Sequence, residues 1–117
     1  MNIKQYIKES SRTCPDLGYR EKNNLHMVLG ISTESGELLD TFKKNLAYRK
    51  NLDWVNIEEE IGDIMWYISN FCRINNLDFE NILDKNIEKL KIRYPEKFTE
   101  EKALNRNLDA ERTKLEF

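Results

Sequence analysis

The segment Glu34-Ser-Gly-Glu37 is followed, after 22 residues, by Glu60-Ile-Gly-Asp63, and these two acidic segments decide the fold. In each segment two carboxylates stand three residues apart, which puts them on one face of an α-helix. Two such helices packed side by side would direct four carboxylates at one point, where the anions would repel one another and burial would protonate some of them. A divalent cation such as Mg²⁺, which takes oxygen ligands, would stabilise this arrangement.

Apolar residues at helical spacing surround both segments and predict two long helices, at about 22–47 and 54–75. Their expected core-facing residues are Val28, Ile31, Leu38, Phe42 and Leu46 in the first helix, and Trp54, Ile57, Ile61, Ile64, Ile68, Phe71 and Cys72 in the second. At about 100° per residue, each acidic pair lies roughly 60° to 120° to the same side of its apolar stripe. The carboxylates would then border the core. Solvated helix faces with intrahelical salt links are the alternative that the same spacing allows.

Small residues share the acidic flank of the first long helix. Gly30 and Thr41 lie on the same side as Glu34 and Glu37. They leave room there for a ligand or for the close approach of a neighbouring helix.

The periodicity of the remaining chain is also helical. Further helices are predicted at about 2–13, 79–93 and 107–115, with a short one beginning after Thr99. The residues expected to cap helices at their N-termini are Asp53, Asp78 and Thr99. The helix at 79–93 would face inward through Phe79, Leu83, Ile87, Leu90 and Tyr94.

These elements predict an all-α fold of four-helix-bundle type with a short helical C-terminal tail. The length of 117 residues indicates one domain, 1–117, with its core at about 22–95 and its tail at 96–117. Hydrophobic residues make up only 39% of the chain, so the core is thin, and we expect a homodimer or a dimer of dimers to complete its burial.

Composition excludes several classes of partner. The net charge of −2, with basic and acidic residues interspersed, argues against binding of a nucleic-acid polymer. No apolar run approaches the length of a membrane span, and the first residues lack the apolar core of a signal peptide. Cys14 and Cys72 have no metal-like spacing, and reduced thiols in a cytoplasmic protein are expected.

The single histidine, His26, bears on rival metal chemistries. A di-iron carboxylate bundle uses Glu-x-x-His on two helices, and no histidine follows any glutamate here at that spacing. Zinc catalysis meets the same shortage of nitrogen ligands. A hard cation held by oxygen therefore stays the preferred interpretation.

The sequence resembles the MazG-like branch of the all-α nucleoside triphosphate pyrophosphohydrolases. The resemblance rests on four segments and covers about 22–112: Leu-Gly-Ile-Ser-Thr-Glu-Ser-Gly-Glu-Leu-Leu at 29–39, Glu-Glu-Ile-Gly-Asp-Ile-Met-Trp-Tyr at 59–67, Asn-Ile-Glu-Lys-Leu-Lys-Ile-Arg-Tyr-Pro at 86–95, and Asn-Arg-Asn at 105–107. It implies Mg²⁺-dependent hydrolysis of nucleoside or deoxynucleoside triphosphates between the α and β phosphates, for nucleotide pool cleansing or control. The products would be a monophosphate and pyrophosphate.

The resemblance also implies roles for particular residues. Those matching the metal-binding motif are Glu34, Glu37, Glu60 and Asp63, which would hold Mg²⁺, with Mn²⁺ as a substitute. Glu37 is the preferred general base and Glu34 the second catalytic candidate, although the sequence does not separate base from ligand. The number of metals and the preferred base and sugar stay open.

Substrate contacts are expected from one helix and one aromatic residue. The basic rim of the helix at 79–93 includes Asn86, Lys89 and Arg93, which match the family segment and would contact phosphate. Trp54 is the candidate for stacking on the nucleotide base. Trp66 is expected at an oligomer contact. The alternative function is a non-catalytic helical homodimer that binds nucleotide or a protein partner.

Overall fold

The computed structural model describes all 117 residues and contains only helices. The six helices are α1 (Ile3–Ser11), α2 (Arg20–Tyr48), α3 (Trp54–Ile74), α4 (Phe79–Arg93), α5 (Glu100–Leu104) and α6 (Leu108–Glu116). The all-α prediction is confirmed, and the helix bounds differ from those predicted by at most two residues.

Side chains cap the helices at the predicted positions. Asp53 accepts a hydrogen bond from the backbone N–H of Asn56 at the start of α3, and Asp78 accepts one from Asn81 at the start of α4. Thr99 caps α5 in the same way. Each such bond satisfies a backbone donor that the first helical turn leaves free, which contributes about 1 kcal/mol.

The chain forms two compact units, Met1–Leu77 and Asp78–Phe117. In the first unit α2 packs along α3, and α1 packs against α3. In the second unit α4 packs against α6. The single domain and the bundle arrangement of four helices stay predictions.

The core of the first unit mixes apolar and polar side chains. Met27 and Ile57 are buried between α2 and α3. On α1, the hydroxyl of Ser10 lies 2.9 Å from that of Ser69, and both residues are buried. The buried Asn70 donates hydrogen bonds to the carbonyl oxygens of Ser10 and Trp66. These three buried polar side chains therefore have partners, and the bonds fix α1 against α3.

Part of the predicted core is exposed. On α2, Val28, Phe42 and Leu46 are 50%, 43% and 85% exposed, whereas Met27 and Gly30 are buried. Trp54 and Ile61 on α3, and Leu83 and Ile87 on α4, are also exposed. The prediction was wrong at these positions because each helix carries more than one apolar face, and only one of them meets a neighbour within the chain.

Trp66 makes contacts within the chain, and its expected oligomer contact stays a prediction. Its indole N–H donates a hydrogen bond of 2.9 Å to the hydroxyl of Thr13, just beyond α1, and its ring lies edge-on to that of Tyr67. The segment that carries Thr13 follows α1, which packs against α3. Both cysteines are free thiols, as expected. None of the helices has the length and hydropathy required to cross a lipid bilayer.

Candidate metal centre

A close approach of α2 and α3 brings the two acidic segments together. The ring of Tyr67 lies directly on Gly30, and a methyl group at position 30 would overlap that ring. Gly30 therefore allows the close approach of α3, as its small size predicts. Glu34 lies one helical turn after Gly30, on the face of α2 that meets α3.

Three of the four predicted ligands form a cluster. One carboxylate oxygen from each of Glu34, Glu37 and Glu60 lies within 4.8 Å of the others. Bonds of about 2.1 Å to Mg²⁺ place opposite ligand atoms about 4.2 Å apart. Small side-chain rotations would therefore bring these three oxygens to a common ion.

No cation within the chain compensates the cluster. None of the ion pairs involves Glu34, Glu37 or Glu60. The Oε2 atoms of Glu34 and Glu60 are buried and have no hydrogen-bond partner. Buried carboxylate oxygens normally have a donor or a cation beside them. The all-oxygen donor set and the two unpartnered atoms therefore fit a hard divalent cation.

Glu60 carries the clearest electrostatic sign of this crowding. Only 5% of its surface is exposed. The adjacent Glu34 carboxylate, burial, and the neighbouring Glu37 raise the pKa of Glu60 to about 7 from its ordinary 4.5. In the absence of a cation, a proton shared within the cluster relieves the repulsion among the carboxylates.

Asp63, the fourth predicted ligand, lies beside the cluster. It lines a pocket of about 260 Å³ together with Glu34, Trp66 and Tyr67. Burial and then the charges of Glu34 and Asp63 raise the pKa of Tyr67. Glu34 belongs to both the cluster and the lining of this pocket. Asp63 therefore lies close to the other three carboxylates but is not part of the cluster. Its role as a ligand stays a prediction.

A larger polar pocket of about 570 Å³ adjoins the cluster at Glu37 and Glu60. Its lining residues are Thr33, Gly36, Glu37, Asp40, Thr41, Lys44, Asn56 and Glu60. The amide of Asn56 donates to the hydroxyl of Thr41, which connects α3 to α2 across the pocket. Lys44 is held at 2.7 Å by Asp40, so the one basic side chain of the lining does not neutralise the glutamates.

Sequence reasoning missed most of this polar lining, although a signal was present. Thr33 and Thr41 stand four residues before and after Glu37, and Asn56 stands four residues before Glu60. Residues four apart share a helix face. Extending each acidic pair by one turn would have identified these side chains.

The predicted substrate contacts lie in different places. Asn86, Lys89 and Arg93 are on α4 in the second unit, where Asn86 is exposed and Lys89 is half-buried. Arg93 is bound to Glu111 of α6. Trp54 is the first residue of α3 and is 62% exposed. Their contacts with substrate stay predictions.

A comparison with family models gives one match. The model for the MazG nucleotide pyrophosphohydrolase domain matches residues 22–98, which contain α2, α3 and α4 and therefore the glutamate cluster. No curated protein and no solved structure gives a significant match.

Proposed function

The chain belongs to the MazG nucleotide pyrophosphohydrolase family, and on that premise we propose that it cleaves a nucleoside or deoxynucleoside triphosphate between the α and β phosphates with the help of Mg²⁺. The products are a monophosphate and pyrophosphate. The observation that carries the proposal is the cluster of Glu34, Glu37 and Glu60, which includes two buried carboxylate oxygens and whose charge no side chain compensates. Triphosphates are synthesised and consumed in the cytoplasm, which we take as its place of action.

The cluster supplies the metal site in this proposal. Glu34, Glu37 and Glu60 would hold the ion, and Asp63, which lines the adjoining pocket, would be the fourth ligand. When bound, Mg²⁺ offsets the charge of the phosphates and lowers the pKa of a water molecule. Mn²⁺ prefers the same oxygen ligands and serves as a substitute.

Side chains of the protein supply the general base and the contacts with substrate. Glu37 is the exposed member of the cluster and lines the larger pocket, so it accepts the proton of the attacking water. Glu34 is the second candidate for this role. Glu60 is buried and acts as a ligand only. Asn86, Lys89 and Arg93 contact the phosphate chain, and the exposed ring of Trp54 stacks on the base.

Release of pyrophosphate from a panel of ribo- and deoxyribonucleoside triphosphates, with and without Mg²⁺, tests the activity. We expect Mg²⁺-dependent release that falls about 10²- to 10⁴-fold in Glu37→Gln, and also falls in Glu60→Gln. Glu58→Gln is the matched control because Glu58 is an exposed acid on the same helix, and its turnover should stay within about twofold of wild type. Nucleotide binding without turnover on any base would instead favour the non-catalytic module.

The exposed apolar flank of α2 supports a homodimer. Leu25, Val28, Leu39, Phe42 and Leu46 are all exposed and lie within an arc of about 100° on the helix surface. Soluble monomers rarely leave such a long apolar stripe uncovered. We propose that a second copy of the chain covers this flank.

Sedimentation velocity tests the dimer. Leu46→Glu should shift the protein toward monomer, because a charge would be buried at the apolar contact. The control is Lys22→Glu, an exposed position on another side of α2. A wild-type protein that sediments as a monomer at all concentrations would contradict the proposal.

A further inference from the structure

A buried glutamate in the second unit holds two arginines. Glu111 of α6 is 2% exposed, and its Oε1 atom accepts hydrogen bonds from Nε and Nη2 of Arg93 on α4. Arg106, just before α6, donates through Nε to Oε2 and through Nη2 to Oε1. The carboxylate is thus fully occupied, and the two guanidinium groups are held side by side.

This triad carries one uncompensated positive charge. Arg93 alone would neutralise Glu111, so Arg106 adds a charge for which Glu111 has no counterpart. The Nη1 group of Arg106 makes no hydrogen bond within the chain, and Glu111 does not use the Nη1 group of Arg93. Two neighbouring guanidinium groups repel each other, and an oxyanion beside Arg106 would offset that repulsion and accept its free Nη1 donors.

There is space for such a ligand beside Arg106. An open pocket of about 640 Å³ is lined by Asn105, Arg106, Asn107, Leu108 and Asp109. Asp109 is the only acid in this lining. The side chain of Arg106 is 38% exposed and that of Arg93 17%, so the pair is reached from the side of Arg106.

We propose that Arg106, held in place by Glu111 beside Arg93, forms a binding site for phosphoryl oxyanions of the pyrophosphate type. Arg106 touches the anion directly, and Glu111 is a positioning residue. The assignment of this anion to the phosphate chain of the substrate or product rests on the proposed function. A triad that only fastens α6 to α4 is the competing explanation, and it requires no anion.

Titration calorimetry with inorganic pyrophosphate, in the absence of divalent metal, tests the site. Arg106→Gln leaves the Arg93–Glu111 pair neutral, so we expect pyrophosphate affinity to fall about tenfold or more, the value of one charge-assisted hydrogen bond. Arg112→Gln is the matched control. Arg112 lies on the same helix and pairs with Glu116, but both side chains are largely exposed, so affinity should change less than about twofold.

A second measurement needs no variant and therefore survives a folding defect in Arg106→Gln. Phenylglyoxal modifies exposed arginines, and mass spectrometry locates the modified residues. Pyrophosphate should protect Arg106 in the wild-type protein, whereas Arg112, whose side chain is 73% exposed, should react at the same rate with and without the anion. Equal modification of Arg106 in both conditions would overturn the site.

The same variants separate this proposal from the proposed function. Pyrophosphate binding that depends on Arg106, in a protein that hydrolyses no triphosphate, would support the anion site and contradict the proposed enzymatic activity. Hydrolysis with an unchanged KM for triphosphate in Arg106→Gln, together with unchanged pyrophosphate affinity, would do the reverse. In that case the triad is a structural tie.

Discussion

Glu60 and Glu111 are the same residue at nearly the same burial, yet their surroundings are opposite. Glu60 is 5% exposed, Glu111 is 2% exposed, and each lies within a cluster of charged side chains. The hydrogen bonds of Arg106 and then of Arg93 lower the pKa of Glu111, against the effect of burial. The acidic neighbours of Glu60 raise its pKa to about 7. The charges of the neighbouring side chains, rather than burial, therefore decide whether the pKa of a buried glutamate is raised or lowered.

The difference separates a carboxylate that the chain itself neutralises from one that it does not. Glu111 has two cations and all of its hydrogen bonds, so α4 and α6 are fastened together without any ligand. Glu60 has two anions beside it and an unpartnered oxygen. The first cluster therefore stabilises the folded state. The second cluster destabilises it unless a proton or a cation is bound.

Substitution by glutamine tests this contrast and should give the largest effects, of opposite sign. Glu111→Gln leaves two part-buried guanidinium groups without their anion, so the denaturant midpoint should fall strongly. Glu60→Gln removes one of three converging negative charges, so the midpoint of metal-free protein should rise at pH 8.

Urea unfolding followed by circular dichroism at matched ionic strength provides both values. Glu116→Gln is the control for the first variant, because Glu116 pairs with Arg112 at an exposed site on the same helix. A loss of stability in Glu60→Gln would show that the cluster is already compensated within the chain, and the contrast with Glu111 would disappear.

The acidic cluster around Glu60 could be predicted from local sequence signals. Spacing alone placed two acidic pairs beside apolar stripes, and the caps Asp53 and Asp78 mark where α3 and α4 begin. Both are properties of residues within one or two helical turns. They predict the helices and suggest the cluster, and the structure confirms the helices.

Contacts between distant residues could not be predicted in this way. Glu111 and Arg93 are 18 residues apart and meet only because α4 and α6 pack together. The indole of Trp66 meets Thr13 for a similar reason. Helix periodicity identifies every apolar face but does not choose the face that finds a neighbour, which is why Val28 and Leu46 were assigned to the core and are exposed.

Metal addition should act on one cluster and not on the other. A ligand that binds only the folded state at 100 times its dissociation constant adds about 2.7 kcal/mol to the free energy of unfolding. Saturating Mg²⁺ should therefore stabilise the wild-type protein and Glu111→Gln alike. It should have little effect on Glu60→Gln, which lacks a charged ligand. Equal stabilisation of all three proteins in thermal unfolding would place the ion elsewhere.

The packing that brings the acids together should be sensitive to one methyl group. Gly30→Ala would push the added methyl into the ring of Tyr67, and overpacking of this kind costs about 1–3 kcal/mol. Gly62→Ala is the matched control, because a methyl there meets nothing within 4 Å and alanine favours the helix by about 0.5–1 kcal/mol. Chemical denaturation should thus give changes of opposite sign. If both variants gain stability, the ring is not held against position 30.

The dependence of stability on pH should show the smallest difference between the clusters, because each involves about one proton. Glu60 binds its proton more tightly in the folded protein, so the folded state holds more protons than the unfolded state between pH 4.5 and about 7. Stability contributed by this group therefore falls as pH rises through that window. Glu111, with a lowered pKa, loses its contribution only as pH falls below 4.5. Urea midpoints of metal-free wild type and Glu60→Gln should coincide near pH 5 and separate in favour of the variant by pH 8. A constant difference across this range would mean that Glu60 is already ionised at pH 5 and that its neighbours do not hold the proton.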